Sequence, residues 1–173
     1  LQVLEFRAEL RDAATARGAI ALAGATPLVT LAIRDTYFRV PSGVFKRREA
    51  DDEPVEYIFY DRKDRPGPHL CRVSVYDEAR ARLRFGREDP PVWRVVVKER
   101  RAFMRGNVRV HLDEVEGLGP FCELEAFVSP AHNVARCHQR LGELRATLGP
   151  TLGEPVTGSY AHMLDALAPA AGS

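Results

Sequence analysis

From Val108 to Val128 the chain reads VRVHLDEVEGLGPFCELEAFV, and on both sides of the turn EGLG ionisable side chains recur at every second position. Arg109, His111 and Asp113 alternate with Val110 and Leu112, while Glu123 and Glu125 flank Leu124. A helix repeats every 3.6 residues and scatters such a pattern around its surface, whereas a strand repeats every two. The segment therefore predicts a β-hairpin with one apolar and one ionisable face. The same spacing returns through the chain at Glu5 and Arg7, Lys46 and Arg48, Tyr60 and Arg62, Arg72, and Lys98 and Arg100. Each lies in a run that reads as a strand: QVLEFRAEL, VFKRRE (joined to TLAIRDTYFRV through the turn PSG), VEYIFYDRK, LCRVSVY and VWRVVVKERRAFM.

Two segments read as helices. RDAATARGAIALAGA has Asp12 as N-cap and Gly24 near its end. SPAHNVARCHQRLGELRATLG has Ser129 as cap, Pro130 in the first helical position and Gly149-Pro150 as its stop. A shorter helix is expected around SYAHMLDALA. Many antiparallel strands with few helices predict an α+β fold whose sheet is strongly curved or closed into a barrel. Residues 1–168 are expected to form one domain, with 169–173 a disordered tail.

Two readings of the charged faces compete. A sheet with one face in water explains any single strand. Repetition over the strands, biased toward Lys and Arg with a small acidic group, suits a closed barrel whose charged face is the lumen and whose apolar face carries the helices. Converging cations repel unless an anion lies between them, and phosphate oxygens match both Arg forks and Lys point charges. Glu5, Asp113, Glu123 and Glu125 then act as hard oxygen ligands for Mg²⁺ or Mn²⁺.

Composition limits the alternatives. The chain of 173 residues is 45% hydrophobic and 28% charged with a formal net charge of +1, so no global field favours nucleic acid or a membrane surface. No apolar run approaches the roughly 18 residues of a membrane span. Cys71, Cys122 and Cys137 lack metal-finger spacing, which points to reduced thiols and a cytoplasmic protein.

The segments DTYFRVPSGVFKRRE, YIFYDR, GPHLCR, VVKERR and GNVRVHLDEVEGLGPFCELEA, together with the late SY, resemble the CYTH superfamily, the triphosphate tunnel metalloenzymes. The resemblance spans nearly the whole chain. It implies an eight-stranded antiparallel β-barrel, a tunnel with helices packed outside, that binds a triphosphate and one or two divalent ions. It places the metal on Glu5, Glu123 and Glu125, and the triphosphate on Lys46, Arg48, Arg62, Arg72, Lys98, Arg100 and Arg109. Glu5, Arg7 and Asp113 fall at catalytic positions. The implied reaction is that of a class IV adenylyl cyclase, ATP to cyclic AMP and pyrophosphate. The alternatives are a triphosphate phosphohydrolase and a nucleotide- or polyphosphate-binding module with little turnover. A homodimer is compatible with the cyclase branch.

The chain departs from the family pattern. The N-terminal ExExK signature appears as VLEFR, so Val3 replaces a Glu and Arg7 a Lys. Arg is the poorer proton acceptor of the two. His69 stands where a cation is common and reads either as a phosphate contact or as an exposed loop residue. Tyr37 and Phe38 read as a base-stacking pair or as a strand aromatic with its core partner. Trp93 is expected to pack a helix on the barrel, and Tyr160 to close one end of the tunnel or to fill core. His132 and His138, six residues apart, share no helix face and read as structural.

Overall fold

The computed structural model describes residues 1–61 and 65–169. In chain order the elements are β1 (Gln2–Leu10), α1 (Ala13–Leu22), β2 (Thr26–Phe38), β3 (Val44–Ala50), β4 (Glu56–Asp61), β5 (His69–Tyr76), α2 (Glu78–Phe85), β6 (Val92–Arg105), β7 (Val108–Val115), β8 (Gly119–Phe127), α3 (Val134–Leu148), β9 (Leu152–Pro155) and α4 (Tyr160–Leu167). Neighbouring strands run in the order β5-β4-β3-β2-β6-β7-β8-β1, and β1 pairs back onto β5, closing an eight-stranded antiparallel barrel. The remaining edge of β1 splits between two partners. Its first half pairs with β5 from Gln2 to Glu5, and its second half pairs with β9 at Ala8 and Leu10.

Period two sorts each strand into an inner and an outer row. The outer row of β1, β8 and β7 (Leu4, Phe6 and Ala8; Cys122, Leu124 and Ala126; Val108, Val110 and Leu112) forms one apolar cluster with Ala16 and Ile20 of α1 and Leu141, Leu144 and Leu148 of α3. Closing the barrel turns these strands' charges inward, so the helices receive the apolar surface they need. The hairpin joining β7 to β8 turns on Gly117 and Gly119 at φ +81 and +88, a backbone region that an L side chain would strain. A separate aromatic cluster on the outer side packs Phe45 and Tyr57 against Phe85 of α2.

The helices depart from the sequence reading in detail. Asp12 caps α1 by accepting from Thr15 N, as expected. The long helix starts later than Ser129: that residue and His132 close a tight turn with reciprocal backbone bonds of 3.0 Å, and Asn133 caps α3 by accepting from Arg136 N. Asn is as good a cap as Ser, and the turn consumes Pro130 before the helix begins. Gly149 and Pro150 do end α3, in a single 3-10 turn. Helix α2 and strand β9 were not anticipated. Helix α4 follows Ser159, whose capping box with His162 is complete. Among the described residues, no helix is long and apolar enough to cross a membrane. The thiols of Cys71, Cys122 and Cys137 are buried.

Candidate active site

The inner rows enclose a cavity of about 340 Å³ inside the barrel. Strands β3, β6, β7, β8 and β1 line it with ionisable groups: Lys46 and Arg48, Lys98 and Arg100, Arg109 and His111, Glu123 and Glu125, and Glu5 and Arg7. The wall opposite is mostly apolar, with Ile58 and Tyr60 of β4, Val73 and Val75 of β5, Val3 at the start of β1 and Phe127 at the end of β8, and with Glu56 of β4 at its edge.

Three buried carboxylates organise the cations. Asp35 accepts from Lys46 Nζ at 2.9 Å and takes both nitrogens of the Arg48 fork at 2.8 Å, with Lys98 3.6 Å away. Asp113 accepts the Arg100 fork at 2.7 and 2.6 Å and the Tyr160 hydroxyl at 2.8 Å, with Lys98 again 3.6 Å away. Glu123 accepts from Arg7 through Nε at 2.9 Å and through Nη2, from Arg100 at 3.2 Å, and pairs with His111 Nδ1 at 3.0 Å. Burial opposes each charge, but the surrounding cations outweigh it and hold all three carboxyls well below the usual range. The lysines respond the other way. Burial and Arg100 press Lys98 down to about 7, and burial and Arg48 press Lys46 down to about 8.

Arg7 is anchored. Besides Glu123 it donates to Gly158 O at 3.0 Å and lies 3.4 Å from Glu5, with its guanidinium 4.4 Å from the centre of the Tyr160 ring. Tyr160 also covers Lys98 at 5.0 Å, so the N-terminus of α4 lies over the charged layer.

His111, Glu123 and Glu125 offer one donor atom each within 4.8 Å of one another, and Glu5 faces Glu125 across the β1–β8 register. Burial and Arg100 lower the His111 pKa to about 4, so the ring is neutral near pH 7. A neutral ring donating Nδ1–H to Glu123 keeps a lone pair on Nε2, the form in which imidazole ligates metals. Burial and the Glu123 charge push Glu125 up to about 7. A divalent cation would relieve that repulsion, and a donor set made mostly of carboxylates suits a hard ion such as Mg²⁺ or Mn²⁺.

The structure brings together Glu5, Arg7, Lys46, Arg48, Lys98, Arg100, Arg109, Glu123 and Glu125 around the cavity, and Asp113 behind Arg100 and Lys98. Arg72 departs from the expectation. The cavity-lining residues of β5 are Val73 and Val75, and by alternation Arg72 lies on the opposite, exposed face. Arg62 lies outside the described residues, as does the tail from 170 to 173. The exposed-loop reading of His69 fails: it is 3% exposed, opens β5 opposite Glu5, and bonds Gly67 O through Nδ1 at 3.0 Å, while Nε2 has no partner among the described residues. Tyr37 lines the cavity while Phe38 packs outside with Phe45, and Trp93 packs edge-on to His162 of α4. Asp35 is the residue that the sequence reading missed. Its signal was present, since Ile33, Asp35 and Tyr37 share a face opposite Lys46 and Arg48, but Arg34 and Thr36 on the other face blur the alternation. Alternation also places His111 on the ionisable face without giving it a role.

No curated protein matches the chain by sequence. The fold is shared with the PH1012 protein of Pyrococcus horikoshii (TM-score 0.71, 18% identity, covering 92% of this chain and 98% of that one). A Vibrio parahaemolyticus protein provisionally assigned as an adenylate cyclase is as similar (TM-score 0.71, 18% identity, 94% and 97%). A Hippeastrum protein studied as an adenylyl cyclase and found to have a dominant triphosphatase activity follows at TM-score 0.61, with 15% identity over 97% and 98% of the two chains. The CYTH domain profile matches residues 2–160. A closed barrel that turns its charges inward, matched by that profile over almost its full length, makes this chain a member of the CYTH family.

Proposed function

We propose that this chain is a divalent-metal-dependent enzyme that binds a triphosphate in the barrel lumen and cleaves it by attack of water. The observation that carries the reading is the convergence of Lys46, Arg48, Lys98, Arg100 and Arg109 on one cavity that also presents the donors His111, Glu123 and Glu125. The cations grip and orient the phosphate chain, and their charge answers the negative charge that develops on the transferring oxygens. Glu5, His111, Glu123 and Glu125 would hold the metal, which supplies Lewis-acid polarisation of a phosphoryl oxygen. Arg7 positions Glu123 and does not serve as a base, because its protonated form is held by Glu123, Gly158 and Tyr160. Asp113 positions Arg100 and Lys98.

The second reading is the adenylyl cyclase reaction, in which the ribose hydroxyl replaces water. Phe127 and Tyr60 on the cavity wall favour it, since both could cover a base. Product analysis separates the two. The protein is incubated with ATP and with inorganic triphosphate in Mg²⁺ or Mn²⁺, with Glu125→Gln as control, because Glu125 has no hydrogen bond or ion pair among the described residues. Orthophosphate release that the variant loses supports hydrolysis. Cyclic AMP with pyrophosphate replaces that reading with the cyclase, and no turnover with binding intact leaves a polyphosphate-binding module.

A further inference from the structure

The lumen has two chemically different walls. Strands β3 and β6 present cations at successive inner positions, and β7 adds Arg109. In contrast, β4, β5 and the first inner position of β1 present mainly apolar groups, Ile58, Tyr60, Val73, Val75 and Val3, with Glu56 of β4 at the edge opposite Arg48. Pairing makes that wall continuous. Ile58 lies opposite Val75 and Tyr60 opposite Val73, while Val3 lies between Cys71 on one side and Phe127 on the other. Val3 is thus no isolated change in a charged row: a carboxylate at that position would be surrounded by apolar groups. Toward the mouth the wall is uncovered, with Val75 47% exposed.

We infer that the lumen takes a triphosphate ester whose organic part is apolar, with its phosphates on the Lys46–Arg48–Lys98–Arg100–Arg109 wall and its organic group against Val3, Ile58, Val73, Val75 and Phe127. The inference rests on the triphosphate reading and adds the class of organic group. An apolar wall rewards buried carbon and offers little to a group that must keep its own hydrogen bonds. Inorganic triphosphate would leave this wall in water, and a nucleoside would bring its polar edges to a wall most of whose side chains cannot pair them.

Two probes of equal charge isolate the wall: methyl triphosphate and benzyl triphosphate, titrated calorimetrically with Mn²⁺ and again in chelator, beside inorganic triphosphate and ATP. The expected result is benzyl triphosphate binding at least tenfold tighter than methyl triphosphate. In the near-isosteric double variant Val73→Thr/Val75→Thr, that advantage falls below threefold while methyl triphosphate binds as before, which also shows the variant to be folded. Equal affinity of the two esters for the natural protein overturns the apolar subsite and leaves the triphosphate reading standing. An advantage that survives the double variant overturns its placement on β5. ATP binding tenfold tighter than benzyl triphosphate overturns the apolar class in favour of a nucleoside. Failure of every probe, inorganic triphosphate included, overturns the triphosphate reading and the inference with it.

Discussion

Glu123 and Glu125 share one face of β8 and do opposite work. Glu123 is paired with Arg7, Arg100 and His111, whereas Glu125 is pushed up by burial and by Glu123 itself. Glu123→Gln leaves two buried guanidiniums short of their counter-charge and is expected to destabilise the fold by about 3–5 kcal/mol, read from urea unfolding. Glu125→Gln removes a strained charge. Its unfolding midpoint near pH 8 is expected to stay level or rise, while Mn²⁺ affinity measured by calorimetry falls roughly tenfold or more. Equal losses of stability in the two variants would refute this division of labour. Parity explains which site residues were legible. VRVHLDEV and CELEA keep apolar residues on one face only, so their inward set reads directly from the sequence. LCRVSVY carries apolar residues on both parities, Leu70 against Cys71, Val73 and Val75, and nothing in the sequence told whether Arg72 faced in or out.

At the scale of elements, strands were legible where alternation is strict, and capping was legible where one candidate stands alone. Asp12 is such a case. Ser129 and Asn133 compete for α3, and the choice depends on the turn that Ser129 makes with His132, a contact no local preference encodes. Helix α2 buries only Ala81 among its residues and so lacks the apolar stripe that marks α1 and α3. Helix α4 is short, and its ties are polar as well as apolar: the Ser159 capping box fixes its start beside Gly158, whose carbonyl accepts from Arg7. Ser159→Ala is expected to cost about 1 kcal/mol. Hydrogen exchange should show the loss concentrated in the amides of α4, with those of β7 and β8 unchanged. Uniform loss of protection through the barrel would instead make α4 part of the same cooperative unit as the strands.

The molecule as a whole stores electrostatic cost in its lumen, and pH reveals it. Lys98 and Lys46 are pressed down to about 7 and about 8 in the folded state, against about 10.4 when unfolded. From pH 7.5 to 8.5 the unfolded chain therefore binds more protons than the folded one, and stability rises with pH, by roughly 1–2 kcal/mol per unit. Other groups act at the edges of this window. Glu125, raised to about 7, has a folded state richer in protons only below that value, so its stabilising effect is lost as pH climbs to about 7. Cys122 and Cys137, whose thiols burial pushes up, oppose the lysines as the unfolded chain ionises around the ordinary thiol pKa of about 8.5. The unfolding temperature is thus expected to rise through pH 7.5–8.5 and more slowly beyond it, because the two lysines still outweigh the thiols until the unfolded lysines themselves titrate. A bound triphosphate changes the sign of the surroundings. Its charge keeps both lysines protonated, so binding takes up protons in this window, and with saturating inorganic triphosphate the rise in unfolding temperature between pH 7.5 and 8.5 should flatten. Calorimetric titrations in two buffers of different ionisation enthalpy measure the uptake directly. Proton release on binding would mean that the anion does not sit against Lys46 and Lys98, and the cation wall would lose its assigned ligand.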